Sequence, residues 1–199
     1  MNLKNKTLIY VEGLWSTGKT HFISTVKNLN DNDSLLIHNN SGDFGMVKWA
    51  QYEMFPLIFK NNNHLFDQSP IALKIASDVQ LGIYNYKYIT PDYWLIFYKE
   101  WMTALKSLKF DIIFLYFLLP KDDNQVYKEV INHVNTYSNL MINPRKVSPK
   151  ILDSMNTMYL QSILEVIGEM KSRSKYYQID YRDTEEAIKT LTYEKLLFQ

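Results

Sequence analysis

The chain contains no cysteine and almost no arginine. Without cysteine there is no disulfide framework, no thiol nucleophile and no cysteine-based zinc site. The positive charge comes overwhelmingly from lysine, because the only arginines are Arg145, Arg173 and Arg182. Arginine is the residue whose planar guanidinium usually binds phosphate, so that side chain is in short supply here.

The chain also lacks a long apolar run and a large net charge. The nearest approach to a membrane-spanning run is IIFLYFLLP, which has the length of a strand, whereas a spanning helix needs about 18 apolar residues. The apolar run near the N-terminus soon meets Glu12 and therefore does not resemble a signal peptide. A net charge of +1 argues against a nucleic acid polymer as partner. We expect a soluble, cytoplasmic protein with no nucleic acid or membrane partner.

Short apolar runs alternate with helical patterns along the 199 residues, a length that suits one domain. The predicted strands are 7–11, 34–38, 64–66, 111–118 and 176–180. The predicted helices are about 19–29, 47–60, 71–84, 92–108, 124–136 and 151–171, with a last one from near 184. Strands that alternate with crossover helices imply a parallel sheet covered on both faces. The sequence therefore predicts a single α/β domain, 1–199, with three α/β/α layers and a five-stranded parallel sheet.

The most specific motif is GLWSTGKT at 13–20, which fits G-x-x-x-x-G-K-[ST] at every fixed position. In such a loop successive backbone N–H groups point at phosphate oxygens, and the following helix turns its positive end to the anion. We expect Lys19 to reach the β- and γ-phosphates of ATP and Thr20 to ligate Mg²⁺. The alternative is a chance match on a strand–turn–helix, but the strand before the loop and the helix after it favour phosphate binding. The predicted nucleotide-binding residues are Gly13, Ser16, Thr17, Gly18, Lys19 and Thr20.

The stretch YVEGLWSTGKT, with Glu12 before the first loop glycine, resembles the phosphate loops of the thymidylate kinase and deoxynucleoside kinase superfamily. Other stretches follow in the order of that family and extend the resemblance over most of the chain. They are WAQYEMF at 49–55, FDQSP at 66–70, YWLIFYKEWM at 93–102, NPRKVSPK at 143–150 and YYQID at 176–180. The resemblance implies a P-loop kinase that uses ATP and Mg²⁺, with a lid at about 139–150 and a possible homodimer.

The resemblance also implies roles for two charged residues and exposes one departure. Asp67, at the end of the third predicted strand, would hold Mg²⁺ or accept a substrate proton, unless it merely begins a helix. Arg145 in the lid would stabilise the charge of the transferring phosphoryl group, unless it belongs to a solvated basic loop. The family's arginine after Asp67 is Gln68 here. A glutamine does not neutralise phosphate charge, and Gln68 is predicted to bind the substrate.

Three further residues bear on the acceptor. Asp43 follows the second predicted strand, where deoxynucleoside kinases place the carboxylate that takes the proton from the sugar hydroxyl; the alternative is a turn residue. Gln51 is either a base-reading side chain or an exposed helix residue. Trp15 either walls the acceptor pocket or packs on the surface. Asp43 favours a hydroxyl acceptor, whereas thymidylate kinases have an arginine there to grip a monophosphate.

Two functions remain open from the sequence. The first is transfer of the γ-phosphoryl group of ATP to a deoxynucleoside or a deoxynucleoside monophosphate. The second is nucleotide binding with weak or no kinase activity, on a scaffold that serves as a regulatory or partner-binding module, as Gln68 and the shortage of arginine suggest. The histidines lack zinc-binding spacing, and His38 and His64 are expected to be structural.

Overall fold

The computed structural model describes residues 6–30, 35–38, 63–78, 91–108, 110–121, 123–136 and 147–197. The strands within them are β1 (Thr7–Glu12), β2 (Leu35–His38), β3 (Asn63–Asp67), β4 (Asp111–Phe117) and β5 (Ser174–Ile179). The helices are α1 (Lys19–Leu29), α2 (Ile71–Asp78), α3 (Pro91–Ser107), α4 (Asn124–Thr136), α5 (Pro149–Met170) and α6 (Thr184–Tyr193). A single 3₁₀ turn, Lys171–Arg173, leads from α5 into β5. None of the described helices is long and apolar enough to span a membrane.

All five strands are parallel and lie in the order β2-β3-β1-β4-β5, which confirms the predicted sheet. The central strand is β1, between β3 and β4. The chain runs from β1 out to β2, returns to β3, and then crosses β1 to reach β4. The carboxyl end of β1 is therefore a topological switch point, the position at which open parallel sheets bind their ligands.

The sheet is buried on both faces, as its continuous apolar strands require. All six residues of β1 are buried, and alternate side chains point to opposite faces. Leu8 and Tyr10 join the core cluster formed with α2, α3, α4 and α5, while Ile9 and Val11 join the cluster formed with α1 and α6. Helices thus cover both faces, and the three predicted layers are present.

The predicted element bounds agree closely with the described ones, with two informative shifts. Helix α1 and helix α4 have the bounds that the sequence predicted. Helix α5 begins at Pro149, two residues before its predicted start, because Ser148 caps it through a bond from the Ile151 N–H and proline is well placed in a first turn. Strand β5 likewise begins two residues early, at Ser174. The helix predicted at 47–60 lies outside the described residues.

Two pairs of polar side chains inside the apolar layers contact each other. The Trp101 Nε1–H donates to the Tyr10 hydroxyl at 3.1 Å, and both side chains are fully buried. The ring nitrogens His38 Nε2 and His64 Nδ1 lie 3.1 Å apart across β2 and β3, with their rings stacked. The prediction that these two histidines are structural agrees with this packing.

The buried pair of Tyr10 and Trp101 gives a stability prediction. Tyr10→Phe leaves the Trp101 N–H buried without its acceptor, so we expect a loss of about 1–3 kcal/mol in the free energy of unfolding. Urea denaturation of the two proteins measures the difference. A loss below about 0.5 kcal/mol would show that the hydrogen bond does not form.

Candidate functional site

The loop between β1 and α1 has the backbone that a phosphate loop needs. Gly13 and Gly18 have positive φ values of 136° and 107°, and Ser16 has a φ of 61°. A Cβ on Gly13 would lie 2.6 Å from the carbonyl oxygen of Phe117, so only glycine lets the loop pass this close to β4. At Gly18 a Cβ would lie 2.9 Å from the Cα of Arg182. Both glycines of the motif are therefore sterically required.

Lys19 is held inside the loop. Its side chain is buried, and its Nζ donates to the carbonyl oxygens of Gly13 at 2.8 Å and Leu14 at 2.5 Å. The Thr17 hydroxyl donates to the same Leu14 carbonyl at 2.9 Å. Burial lowers the pKa of the Lys19 ammonium, and the negative charges of Asp67 and Glu12 oppose that shift. The neighbouring carboxyl groups do not fully offset the hydration that the ammonium loses on burial, so an additional anion would stabilise its charged form.

Other groups of the loop fit a phosphate ligand. The Ser16 hydroxyl oxygen is buried and makes no hydrogen bond within the described part of the chain. A buried polar atom of this kind indicates a ligand or an ordered water as its partner. Thr20 lies exposed in the first turn of α1, beside the positive end of the helix. The donors at the loop therefore match phosphate oxygens, with a hydroxyl next to them for a cation.

Two carboxyl groups lie beside Lys19 at the ends of neighbouring strands. Glu12 is fully buried, and its Oε1 accepts a 2.7 Å hydrogen bond from the Ser69 N–H. Burial raises the pKa of Glu12 to about 8, although Ser69 and Lys19 act in the opposite direction. Asp67 ends β3, opposite Val11 of β1, and burial raises its pKa against the effect of Lys19. The site thus brings together Glu12, Lys19 and Asp67, while the catalytic and metal-binding roles of the last two stay predictions.

Gln68, which stands where the resembled family has arginine, braces the loop. Its backbone has a φ of 70°, and its N–H donates to the Val11 carbonyl at 3.0 Å. Its side-chain Nε2 lies 3.4 Å from the Gly13 carbonyl oxygen, which also accepts from Lys19. The neutral amide therefore fastens the turn after β3 to the phosphate loop, while its role toward a substrate stays a prediction.

Sequence reasoning missed Arg182, in the turn between β5 and α6. Its N–H donates to the Thr17 carbonyl at 3.0 Å, and its Nε donates to the Ser16 carbonyl at 3.2 Å. Its Nη1 forms a 3.2 Å ion pair with Glu129 of α4. The turn after β5 thus supports the loop from outside. The available signal was an arginine two residues after the end of a predicted strand, in a chain with few arginines.

The remaining predicted residues have different outcomes. Trp15 is half-buried and packs against the core cluster that includes α2 and α3, so its place as a wall of the acceptor pocket stays a prediction. Asp43, Gln51 and Arg145 lie outside the described residues, as do residues 139–146 of the predicted lid. Asp67 is half-buried at the site. The helix start that follows is capped by Ser69, whose hydroxyl oxygen accepts a hydrogen bond from the Ile71 N–H of α2.

Three solved structures are similar to this chain, and two of them are named as polyphosphate kinase 2. Polyphosphate kinase 2 from Arthrobacter aurescens TC1 has a TM-score of 0.56 at 12% identity, over 96% of this chain and 68% of that one. A putative polyphosphate kinase 2 from Pseudomonas aeruginosa PA01 has a TM-score of 0.54 at 12% identity, over 98% of this chain and 39% of that one. The Bacillus subtilis YorR protein, solved with phosphorylated GDP, has a TM-score of 0.47 at 16% identity, over 96% and 99% of the two chains.

Neither a protein-family model nor a curated protein sequence matches the chain. At these identities the likeness shows the fold alone, an α/β fold that this chain shares with polyphosphate kinase 2. The loop at 13–20 occupies the switch point of that fold. The fold and the loop geometry together confirm the predicted α/β architecture with a glycine loop at its switch point.

The steric requirement at Gly13 gives a prediction with a matched control. Gly13→Ala places a methyl group against the Phe117 carbonyl at a positive φ, so we expect a loss of about 2 kcal/mol or more of stability and loss of ATP binding. Gly168→Ala is the control, because a Cβ there meets nothing within 4 Å on helix α5. That change should raise stability by about 0.5–1 kcal/mol. Equal effects of the two changes in thermal melts and ATP titrations would contradict this geometry.

The raised pKa of Glu12 gives a pH prediction. The folded protein keeps a proton on Glu12 between pH 4.5 and about 8, where the unfolded chain has lost it, so the free energy of unfolding falls as the pH rises through that window. Glutamine does not ionise, so Glu12→Gln should be more stable than the wild type above pH 8, by on the order of 5 kcal/mol. The difference should shrink toward zero below pH 4.5. Urea titrations of both proteins from pH 4 to 9 measure it, and a difference independent of pH would refute the assignment.

Proposed function

We propose that this protein is a P-loop phosphotransferase that moves the γ-phosphoryl group of ATP to a deoxynucleoside or a deoxynucleoside monophosphate. The observation that carries the proposal is Lys19, a buried ammonium held within a glycine loop at the switch point of a P-loop kinase fold. A buried lysine with a lowered pKa needs an anion, and the loop around it offers donors for phosphate oxygens.

The donor nucleotide would bind through groups of the loop and α1. Backbone N–H groups of the loop, the Ser16 hydroxyl and the Lys19 ammonium would contact its phosphates. Thr20 and Asp67 would hold Mg²⁺ beside them; when bound, this ion neutralises charge on the phosphates. No cluster of three His, Asp or Glu side chains in the described ranges forms a separate metal site. The ion would therefore depend on these two residues and the nucleotide itself.

The described site has few cationic side chains to neutralise the charge of the transferring phosphoryl group. Phosphoryl transfer relies on positioning and on cations around the transferring group more than on covalent chemistry. Gln68 supplies no charge, and the guanidinium of Arg182 already pairs with Glu129 at the outside of the loop. Lys19 is therefore the main positive side chain of the described site, and Arg145 from the lid is proposed as the second.

The choice of acceptor rests on residues outside the described part of the chain. Asp43 would accept the proton of a sugar hydroxyl, and Gln51 would read the base, as in the family that the sequence resembles. Polyphosphate, named in two of the similar structures, is a further phosphoryl compound to test.

The strands nearest the two ends of the chain, β1 and β5, both pair with β4 in one sheet, which supports the proposal of a single domain.

A second function is favoured by one observation. The Gln68 amide is engaged with the Gly13 carbonyl, so the position that could hold a phosphate-binding cation holds a neutral brace. A protein that binds ATP through the loop without transferring phosphate, and acts as a regulatory module, is consistent with that contact. Turnover measurements distinguish the two functions.

The test is ATP consumption with Mg²⁺ over a panel of deoxynucleosides, their 5′-monophosphates and polyphosphate. We expect turnover with one acceptor class and a loss of about 100-fold or more in Lys19→Ala, which lacks the ammonium in the loop. Lys27→Ala is the matched control, because Lys27 is an exposed lysine on the same helix. It should keep full activity.

The outcomes separate the proposals. An active Lys19→Ala protein would rule out the assignment of the loop. ATP binding without turnover across the whole panel would favour the regulatory module over the kinase. Turnover with nucleosides alone would support Asp43 as the base, and turnover with monophosphates alone would contradict that role.

A further inference from the structure

We infer that Glu12 is a positioning residue that fixes the turn carrying Asp67 against the phosphate loop. The inference concerns the same site as the proposed function, and its consequence for nucleotide binding rests on that function. Its structural part, a link from β1 to the turn after β3, stands on the contacts of the described residues alone.

The link begins at the last residue of β1. Glu12 points to the same sheet face as Leu8 and Tyr10, and it is fully buried directly before the first loop glycine. Its Oε1 accepts the Ser69 N–H at 2.7 Å, a length typical of a strong hydrogen bond to a carboxyl oxygen. Ser69 in turn accepts the Ile71 N–H through its hydroxyl at 3.1 Å and so starts α2. Glu12 is thus tied to the N-terminus of α2.

The turn at 67–69 needs such a restraint. Gln68 has a φ of 70°, a left-handed conformation that costs a non-glycine residue about 1–3 kcal/mol. Two bonds from β1 hold the turn in this shape: the Val11 carbonyl accepts the Gln68 N–H at 3.0 Å, and Glu12 accepts the Ser69 N–H. The first bond continues the strand ladder, and the second depends wholly on the Glu12 side chain. Asp67 is the residue whose direction this turn determines.

The second carboxyl oxygen of Glu12 lacks a hydrogen bond within the described residues, which indicates that stability alone does not account for a glutamate at this position. Glu12 Oε2 is buried and makes no hydrogen bond within the described residues. A buried carboxyl group with one unsatisfied oxygen destabilises a fold, and a satisfied or apolar side chain would cost less. Glu12 also lies within the electrostatic reach of Lys19 and Asp67, the two groups proposed to contact the nucleotide and its cation. A functional requirement accounts for a residue that stability alone disfavours.

The length of the side chain matters as well. Glu12 is paired with β4 through its place in β1, and the next residue, Gly13, lies close to the Phe117 carbonyl of β4. A side chain with two methylene groups spans from β1 to Ser69, and alanine does not reach it. Glutamine has the same length and an amide oxygen that accepts the same N–H. It therefore restores the link without an ionisable group.

The experiment compares Glu12→Ala and Glu12→Gln with the wild type in two measurements. The first is amide hydrogen exchange of Ser69, and the second is the affinity for ATP with and without Mg²⁺. Tyr10→Phe is the matched control, because it removes a buried hydrogen bond from the same strand and the same sheet face, at a position away from the loop. Glu12→Ala should speed exchange at Ser69 by roughly 10-fold over Tyr10→Phe. It should also reduce the Mg²⁺-dependent gain in ATP affinity by roughly 10–100-fold.

Glu12→Gln should keep the Ser69 exchange rate and the Mg²⁺-dependent gain in ATP affinity within about threefold of the wild type. That change is smaller than the effect expected from losing one whole hydrogen bond. Exchange and Mg²⁺ dependence in Glu12→Ala that match Tyr10→Phe would overturn the inference. A Glu12→Gln protein as impaired as Glu12→Ala would also overturn it, because charge and not position would then be the requirement. If the wild type binds no ATP, the proposed function fails, and Ser69 exchange still decides whether Glu12 positions the turn.

Discussion

At the carboxyl end of β1, the ammonium of Lys19 and the carboxyl group of Glu12 are buried away from water. Much of the structure around them supplies the hydrogen bonds and charges that these two groups need. Lys19 and Glu12 are buried, and Asp67 is half-buried next to them. Burial shifts the pKa of each group in the direction that favours its neutral form. The attraction between Lys19 and the two carboxyl groups opposes this shift, and at Glu12 hydrogen bonds from Ser69 oppose it as well. Such a cluster is unfavourable for stability unless it serves a ligand, and phosphate is the ligand whose charge suits Lys19.

The sheet makes this cluster possible. Because β1 is central and the chain crosses it between β3 and β4, three parallel strands end at one place. β3 brings Asp67 beside β1, β4 brings the Phe117 carbonyl against Gly13, and β5 leads to Arg182 behind Gly18. The loop is thus supported on several sides by elements far apart in the sequence. Its two glycines with positive φ lie where these neighbours leave no room for a Cβ.

The sequence predicts the loop and its flanking elements well, because their signals are local. The glycine spacing, the strand before it and the helix after it lie within 7–29, and α1 has the predicted bounds. Glu12 was noted from the family resemblance, but its partner Ser69 was not, since the two are 57 residues apart. Arg182 lies 166 residues from Ser16, whose carbonyl it binds. Contacts of that range depend on strand order, which residue patterns do not encode locally.

Lys19 offers the most direct test of the central claim, that a buried ammonium in the loop is held for phosphate. The measurement is the pKa of its side chain by nitrogen-detected NMR, without and with ATP and Mg²⁺. The account predicts a pKa below the ordinary lysine range in the free protein, because burial disfavours the charged form, and a rise when phosphate supplies negative charge. An ordinary pKa in the free protein that does not respond to ATP would contradict the account.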